Sequence, residues 1–425
     1  MVEPMKKVYY IFFVTVLILL SSCNKKEIRE NSVILCIPVY GQSLALGEEA
    51  ERITDFDSLA LYSNGRIVTE NIDDVFGYFD NDDLKQWGKK MLHYQKRSYE
   101  LSVYGMAEAL THYLGEDTLI CIFPGGQGAT PIQYLSKGME PYQKFMDDIS
   151  NANEIAKSYG CKFEVPAICW MQGESDIENY PGTDYRALLQ QISRDFNQDI
   201  KQITGQNKDV QIICYQSNNV TGGEKYVQDS FNCIESLVPQ IQMDLIREDS
   251  MFWASGPTYP FTFARERIHL DGVSQKRFGY LAANSALGII RNRQHFRGLI
   301  PTEIKADGNE IIIHFNIPEP PLQLDTTNVV KAKNYGFAVI TPDNVDILQS
   351  VVLHKDIIHL ICSAPIDTCK VRYAINGEQR KSGYKSGPRG NLRDSQGETK
   401  KVKIQNQVYP LHNWCYQFDI PYPNK

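Results

Sequence analysis

The chain has little that would suit a nucleic-acid partner or a metal centre. Acidic residues outnumber basic ones by 51 to 44, and the net charge of -7 argues against binding to nucleic acid. The ten cysteines and eight histidines do not show the spacing of a zinc site. No internal repeat is present either. The sequence therefore predicts a protein that needs no metal or other cofactor and does not bind nucleic acid.

Long apolar runs are also missing, apart from one near the N-terminus. That run, Val8 to Leu20, is shorter than the ~20 residues that a membrane span needs, and Ser21-Ser22-Cys23 follows it. This is the pattern of a secretory signal that ends at a bacterial lipoprotein cleavage site. Residues 1–22 are thus predicted to be a signal peptide and residues 23–32 a polar tether. Lipid on Cys23 would anchor the exported protein in the bacterial cell envelope, at the outer membrane, with a single membrane span as the alternative.

Cysteine usage gives limited support for disulfide bonds. Four cysteines lie inside apolar, strand-like runs, where a free cysteine acts as a small buried hydrophobe; they are Cys36, Cys121, Cys169 and Cys214. Cys362 and Cys369 flank a segment with the pattern of a hairpin. This pair is therefore the best candidate for a bridge.

The length of 425 residues exceeds what one hydrophobic core usually serves, so two domains are expected. In residues 33–295, strand-like runs alternate with helical ones, as a parallel sheet with crossover helices requires. In residues 296–385, short apolar runs are separated by turn signals, which indicates a small β-sandwich-like domain. Residues 386–425 form a loop-rich tail. The β domain could bind carbohydrate, but the tail favours a bracing role.

A serine follows the first strongly apolar run of the mature chain. Residues 33–40 are expected to form a buried strand, and Gly41-Gln42-Ser43 comes directly after it. The carboxyl ends of parallel strands face the ligand crevice, so a hydroxyl there is well placed to act as a nucleophile. The neighbouring glycine permits close approach of the substrate. The tripeptide alone is weak evidence, because serine also favours turns.

Three later segments supply other parts that a nucleophilic serine needs. Pro124-Gly125-Gly126 follows an apolar run, and its glycines can aim a backbone N–H at a developing oxyanion. Gln172-Gly173-Glu174 follows another apolar run and offers an amide donor and a carboxylate. The segment from Glu266 to Asp271 places a carboxylate on each side of His269. A serine hydroxyl needs such a base, and the base needs an acid that fixes its tautomer.

Each of these residues also has a structural interpretation. His269 could be a structural histidine at the start of a helix. Glu174 is favoured as a structural acid rather than a catalytic one, and Gln172 could cap a helix or lie in a loop. The acid that orients the histidine stays open among Glu266, Asp271 and Glu174.

Together the motifs resemble those of SGNH/GDSL-type hydrolases, and most of all the sialate O-acetylesterase and acetylxylan-esterase branch of the carbohydrate esterases. Trp170-x-Gln172-Gly173-Glu174 is the most specific part of the match. The resemblance implies a flavodoxin-like, three-layer α/β/α sandwich with a parallel sheet. It also implies a Ser-His-acid catalytic set that removes acetyl groups from sugars without a metal.

Carried over by position, the resemblance assigns roles to individual residues. Ser43 would be the nucleophile, His269 the base and Glu266 the orienting acid. The N–H groups of Ser43 and Gly126 and the side chain of Gln172 would form the oxyanion hole. The chain departs from the branch at two positions, because Leu44 replaces the usual Asn and Glu266 replaces the usual Asp.

The sequence thus predicts a lipid-anchored serine esterase that removes O-acetyl groups from glycans, sialic acid types included, outside the cytoplasm. Its partners would be an acetylated glycan substrate and the membrane that holds the anchor. One alternative is an esterase for other carboxyl esters or lipids, and another is a non-catalytic glycan-binding lipoprotein on an esterase scaffold. Four aromatic residues near the motifs are expected to line the substrate crevice; they are Tyr40, Tyr134, Trp170 and Trp253.

Overall fold

The computed structural model describes residues 32–55, 66–68, 99–179, 184–218, 231–232, 237–266, 268–378, 381 and 383–423. The predicted signal peptide, Cys23 and all but the last residue of the tether lie outside these ranges. Within these ranges, no helix combines the length and the apolar character that crossing a membrane requires.

Parallel strands form the first part of the chain. They are β1 (Val33–Cys36), β2 (Val39–Gly41), β3 (Ile67–Val68), β4 (Thr118–Cys121), β5 (Pro124–Gly126), β6 (Lys162–Glu164), β7 (Ala167–Met171), β8 (Gln211–Gln216) and β9 (Phe252–Pro257). Two ladders have the orders β3-β4-β1-β6 and β5-β2-β7-β8-β9, and all their pairings are parallel. The two ladders are continuous, because the chain that links them is also hydrogen-bonded: Ile37 N donates to Cys121 O, and Val39 N donates to Phe123 O.

Helices connect these strands. They are α1 (Ser102–Thr111), α2 (Glu140–Ser158), α3 (Glu174–Asn179), α4 (Tyr185–Thr204), α5 (Leu237–Glu248) and α6 (Gly272–Ile290). Successive strand residues point to opposite faces of a sheet. Ile168 and Trp170 accordingly pack with α2, α4 and α5, whereas Cys169 and Met171 pack with α1 and α6. The predicted α/β architecture with a parallel sheet is confirmed.

This alternation corrects three of the four residues predicted to line a crevice. Tyr40 and Trp170 are 0 % exposed and belong to the core, because their positions in β2 and β7 turn them toward the helices. Trp253 is also buried, against α6 near Gly288. Tyr134 alone of the four has an exposed side chain.

After α6 the strands pair antiparallel, and the predicted all-β region is present. Its elements are β10 (Ile300–Asp307), β11 (Glu310–Asn316), β12 (Gln323–Leu324), β13 (Phe337–Ile340), β14 (Leu348–His354), β15 (Ile357–Cys362), β16 (Cys369–Tyr373), β17 (Leu392–Arg393), α7 (Gln396–Thr399), β18 (Lys401–Ile404), β19 (Gln407–Pro410) and β20 (Phe418–Tyr422). The larger sheets have the orders β10-β11-β15-β14 and β13-β16-β20. The tail also contacts the parallel sheet, since Gln216 Nε2 donates to Gln417 O at 2.8 Å and Gln417 N donates to Gln216 Oε1 at 2.7 Å. These contacts fit a bracing role.

Cys362 and Cys369 are buried free thiols, so the predicted bridge between them is wrong. Cys362 ends β15 and Cys369 begins β16, and these strands belong to different sheets. The segment between them therefore crosses from one sheet to another and is not a hairpin. Burial raises the pKa of the Cys369 thiol to about 12, which keeps it protonated.

Candidate active site

Ser43 lies in the turn that follows β2, and its hydroxyl contacts His269. Ser43 Oγ is 2.9 Å from His269 Nε2. The turn is compact because Glu48 N donates to Ser43 O at 3.0 Å. It is also tied to α6, since Gln275 Nε2 donates to Leu44 O at 2.9 Å. The serine and the histidine that sequence reasoning paired are thus brought together, 226 residues apart in the chain.

The carboxylate on the other side of His269 is Glu49, which belongs to the same turn as the serine. Glu49 Oε2 is 3.0 Å from His269 Nδ1, and Arg265 Nη1 lies 3.3 Å from Glu49 Oε1. Glu49 and Arg265 have φ angles of 62° and 51°. Left-handed backbone is uncommon for residues with side chains, and such conformations concentrate at functional sites.

Sequence reasoning missed Glu49 because it searched for the acid beside the histidine. Glu266, the acid predicted for this position, lies in the 3-10 turn Ala264–Glu266, and its side chain is outside the described residues. In the structure, Glu49 Oε2 accepts the hydrogen bond of His269 Nδ1. The sequence offered one weak sign of this acid, the glycine two residues before Glu49. Gly47 has a φ of 70°, and this conformation lets the chain turn tightly there.

Asp271 has a different task, which is to cap α6. Its Oδ1 accepts a hydrogen bond from Ser274 N at 2.8 Å, and its Oδ2 is hydrogen-bonded to the hydroxyl of Thr262. Aspartate at this position satisfies an N–H group at the helix start. Helix capping therefore accounts for an aspartate two residues after His269.

Glu174 is structural, as the favoured interpretation has it. It is 3 % exposed, and Tyr215 Oη is 2.6 Å and 2.7 Å from its two carboxylate oxygens. Burial and the adjoining Glu174 carboxylate raise the pKa of Tyr215 well above its ordinary value, so the phenol keeps its proton and donates it. Glu174 therefore fixes the end of β7 against β8.

The backbone beside Ser43 is made of glycines. The register pairs Gly126 of β5 with Gly41 of β2. Gly126 has a φ of 106°, and a Cβ on it would lie 1.9 Å from the carbonyl oxygen of Gly41, so the close approach of the strands requires glycine. A Cβ on Gly128 would lie 4.0 Å from Ser43 Cβ. The chain after β5 thus runs next to the nucleophile, as the sequence predicts for the oxyanion segment.

Gln172 is placed differently from the prediction. Its side chain is fully buried, and Nε2 donates to Thr130 O at 3.2 Å and to the carboxylate of Asp176. A side-chain amide has two N–H groups, so both are already used. The structure therefore commits the predicted oxyanion donor to holding the loop at residue 130 against α3.

Gln42 links the serine turn to the Gln172-Gly173-Glu174 segment. Gln42 Oε1 accepts from Gly173 N at 3.3 Å and from Ser175 N at 3.2 Å, which are N–H groups at the start of α3. Gln42 N also donates to Met171 O at 3.1 Å. These bonds explain in physical terms why the two motifs occur together in one chain.

The chemistry of the site follows from the hydrogen-bond chain Ser43–His269–Glu49. A base within hydrogen-bond reach of a hydroxyl, itself held by a third group, is the arrangement that activates a serine. The described residues contain no group of three or more His, Cys, Asp and Glu side chains that could hold a metal ion. The hydrogen-bond chain by itself is an arrangement that can activate the Ser43 hydroxyl for attack on an acyl carbonyl.

Comparisons with known proteins agree with this class of site. Residues 91–288 match the sequence model of the family described as carbohydrate esterase, sialic acid-specific acetylesterase. A solved structure of XAC1771, a carbohydrate acetylesterase from Xanthomonas citri, is similar over 91 % of this chain and 80 % of that chain, with a TM-score of 0.60 and 14 % identity. NanS aligns with 62 % of this chain and 99 % of that chain, at a TM-score of 0.44 and 14 % identity. A protein from Arabidopsis thaliana aligns with 60 % of this chain and 98 % of that chain, at a TM-score of 0.42 and 17 % identity. Comparison with curated proteins gives no match at the sequence level.

The family match indicates a carbohydrate esterase, and the similarity to XAC1771 agrees with the α/β fold. More particularly, residues 91–288 are similar to the sialic acid-specific acetylesterase family, and the chain is a carbohydrate O-acetylesterase. The predicted family and the predicted enzyme class are confirmed.

Proposed function

We propose that the protein removes O-acetyl groups from carbohydrates by a covalent serine mechanism. The observation that carries this proposal is the continuous hydrogen-bond chain from Ser43 through His269 to Glu49. His269 Nε2 takes the proton of the Ser43 hydroxyl while Oγ attacks the acetyl carbonyl. The ester bond to the sugar breaks, the sugar oxygen receives that proton, and an acetyl-serine remains. His269 then takes a proton from water, whose oxygen attacks the acetyl-serine and releases acetate, and returns it to Ser43.

Glycine backbone supports the charge that develops during each attack. The N–H groups of Ser43 and Gly126 are the donors that we assign to the oxyanion, since β2 and β5 are neighbours and both end at the site. We assign the methyl group of the acetyl ester to the space beside Gly128, where a Cβ would lie 4.0 Å from Ser43 Cβ. This room is small, because a Cβ on Gly128 would already lie 3.2 Å from Glu48 Oε2. A short acyl group such as acetyl therefore fits better than a fatty acyl chain.

The proposed substrate is an acetylated glycan, with O-acetylated sialic acid as one class. The family description names sialic acid, and XAC1771 is described as a carbohydrate acetylesterase. Leu44, where the resembled branch has Asn, is 1 % exposed and belongs to the apolar cluster of α1 and α6. Its packing stabilises the serine turn, which supports catalysis over the non-catalytic alternative.

We place the enzyme outside the cytoplasm, held in the cell envelope by lipid on Cys23. The support is the sequence pattern of a basic pair, an apolar run and Ser21-Ser22-Cys23. Fractionation of cells that express the natural chain and the Cys23→Ala variant tests this assignment. The variant should leave the membrane fraction with its specific activity unchanged, and retention there would indicate a true span.

Acetate release from a panel of acetylated glycans tests the activity. The panel contains chemically acetylated xylohexaose, cellohexaose and mannohexaose, and O-acetylated sialyllactose, with p-nitrophenyl acetate as the simple ester. Ser43→Ala and His269→Ala should be nearly inactive on all of them. Hydrolysis of p-nitrophenyl acetate without acetate release from any glycan would favour a general esterase. Binding of glycan without any hydrolysis would favour the non-catalytic alternative.

A further inference from the structure

An exposed aromatic ring lies on the loop that begins beside the nucleophile. Tyr134 is 52 % exposed, whereas the aromatic residues of β2 and β7, Tyr40 and Trp170, are buried in the core. It belongs to a short 3-10 turn, Ile132–Leu135, in the loop between β5 and α2. An exposed phenol ring offers an apolar face that a ligand can cover, and its position decides which ligand reaches it.

The turn that carries Tyr134 is held rigidly from below. Ile132 N donates to Asp176 Oδ2 at 2.9 Å, and the hydroxyl of Tyr40 donates to Leu135 O at 2.9 Å. Ile132 and Leu135 are themselves 0 % exposed. The backbone that carries the exposed ring is therefore held in place before a ligand binds. Binding to such a site costs less conformational entropy of the protein.

The turn also lies at the same edge of the sheet as Ser43. Parallel strands collect their carboxyl-end loops at one edge, and the loops after β2 and β5 are neighbours there. Gly128 next to Ser43 and Tyr134 are six residues apart, and six residues span at most ~20 Å. Tyr134 is therefore within reach of a short oligosaccharide whose acetyl group sits at the serine.

We propose that Tyr134 is a stacking platform for a pyranose ring of the acetylated glycan, so that the enzyme binds an oligosaccharide and not only an acetyl ester. This inference rests on the proposed function. The face of a phenol ring carries partial negative charge and an apolar surface, which suits the C–H face of a sugar ring, while its hydroxyl stays free to contact sugar hydroxyls. Tyr134 acts on binding and takes no part in the proton transfers at Ser43.

Kinetics on two substrates tests the proposal. Tyr134→Ala should raise KM about tenfold on the panel glycan that wild type deacetylates fastest, with kcat on that glycan and kcat/KM on p-nitrophenyl acetate unchanged. Tyr134→Trp should keep the wild-type KM, because it keeps the ring. The matched control is Tyr113→Ala: Tyr113 is also 52 % exposed, but it follows α1 and precedes β4, at the amino edge of the sheet. It should change neither substrate's kinetics.

Two results would overturn the platform. One is an unchanged glycan KM in Tyr134→Ala, and the other is an equal loss on glycan and p-nitrophenyl acetate, which would show a structural role. Calorimetric binding of xylohexaose and sialyllactose to the Ser43→Ala variant, with and without Tyr134→Ala, separates this inference from the proposed function. Loss of affinity in the double variant supports the platform even if the wild type releases no acetate, and equal affinity refutes it even in an active enzyme.

Discussion

Replacement of Glu49 by glutamine isolates the acid that the structure places on His269. The substitution keeps the size of the side chain and removes its charge. Its amide can present either oxygen or NH₂ to Nδ1, so the tautomer of the ring is no longer fixed. Ser43 and His269 remain in place, because the turn is held by backbone bonds and by Gln275. The fold should therefore be intact while turnover falls.

The size of the loss follows from the geometry. Two unit charges about 4 Å apart near a protein surface interact with about 4 kcal/mol, and the Glu49–His269 contact is 3.0 Å long. This interaction is present only when the ring is charged, so it lowers the barrier, and 1.36 kcal/mol corresponds to a factor of ten in rate. At 3.0 Å the same relation gives about 5.5 kcal/mol, so about 10⁴-fold in kcat is the upper figure. Arg265 on the second oxygen and the 22 % exposure of the Glu49 side chain weaken the interaction, so we expect about 10²- to 10³-fold.

The assay is the initial rate of acetate release under saturating substrate, with circular dichroism and thermal unfolding as checks of the fold. Glu48→Gln is the matched control: it changes the adjacent, exposed carboxylate of the same turn and should alter kcat less than about threefold. Glu266→Gln, Asp271→Asn and Glu174→Gln complete the set. If a folded Glu266→Gln variant loses clearly more turnover than Glu49→Gln, the orienting acid is Glu266 and the argument from the hydrogen bond is refuted.

Three further outcomes are expected. Gly128→Ala should fold and lose activity more on propionyl than on acetyl esters. Gly126→Ala should fail to fold stably, because its Cβ would lie 1.9 Å from a backbone oxygen. Equal melting temperatures of the two variants in thermal unfolding would contradict this. Gln172→Ala should lower the free energy of unfolding by about 1–3 kcal/mol while its kcat, measured below the melting temperature, stays within about tenfold of wild type; a larger loss would return Gln172 to the oxyanion hole. Burial, and after it the charge of Arg393, lowers the pKa of His412 to about 4. The unfolded chain therefore binds the proton first, and the free energy of unfolding should fall as pH drops from about 6.5 to about 4. Urea unfolding of wild type and His412→Gln across that range measures the effect, and parallel curves for the two proteins would disprove it.

The parts of this protein that the sequence predicts well are those with a strong local pattern. Strand-like runs that alternate with helical ones in residues 33–295 predicted the parallel sheet and the helices that connect its strands. Ser43 and Gly126 were predicted as site residues because they follow strand ends, and the structure places them at the ends of neighbouring strands. The change to antiparallel pairing after α6 was visible as short runs between turn signals.

The parts that sequence missed depend on contacts between distant residues. Glu49 and His269 are 220 residues apart, and nothing local to either residue marks the pair. The resemblance assigned Gln172 to the oxyanion hole, but the direction of its side chain is set by Asp176 and Thr130, which belong to other elements. Side-chain direction at a strand end is decided by tertiary neighbours, which a pattern of residue types does not record.

The distribution of the three polar groups over the chain has a mechanical consequence. In the resembled motif the acid and the histidine share one segment, three residues apart, so they would move together. Here the nucleophile and the acid share the turn from Ser43 to Glu49, and the histidine alone comes from the segment before α6. Any shift of α6 relative to the turn therefore breaks both hydrogen bonds of His269 at once. The close contact at this junction, where a Cβ on Gly272 would lie 1.9 Å from Glu51 O, restricts that shift and so preserves the alignment on which the proposed reaction depends.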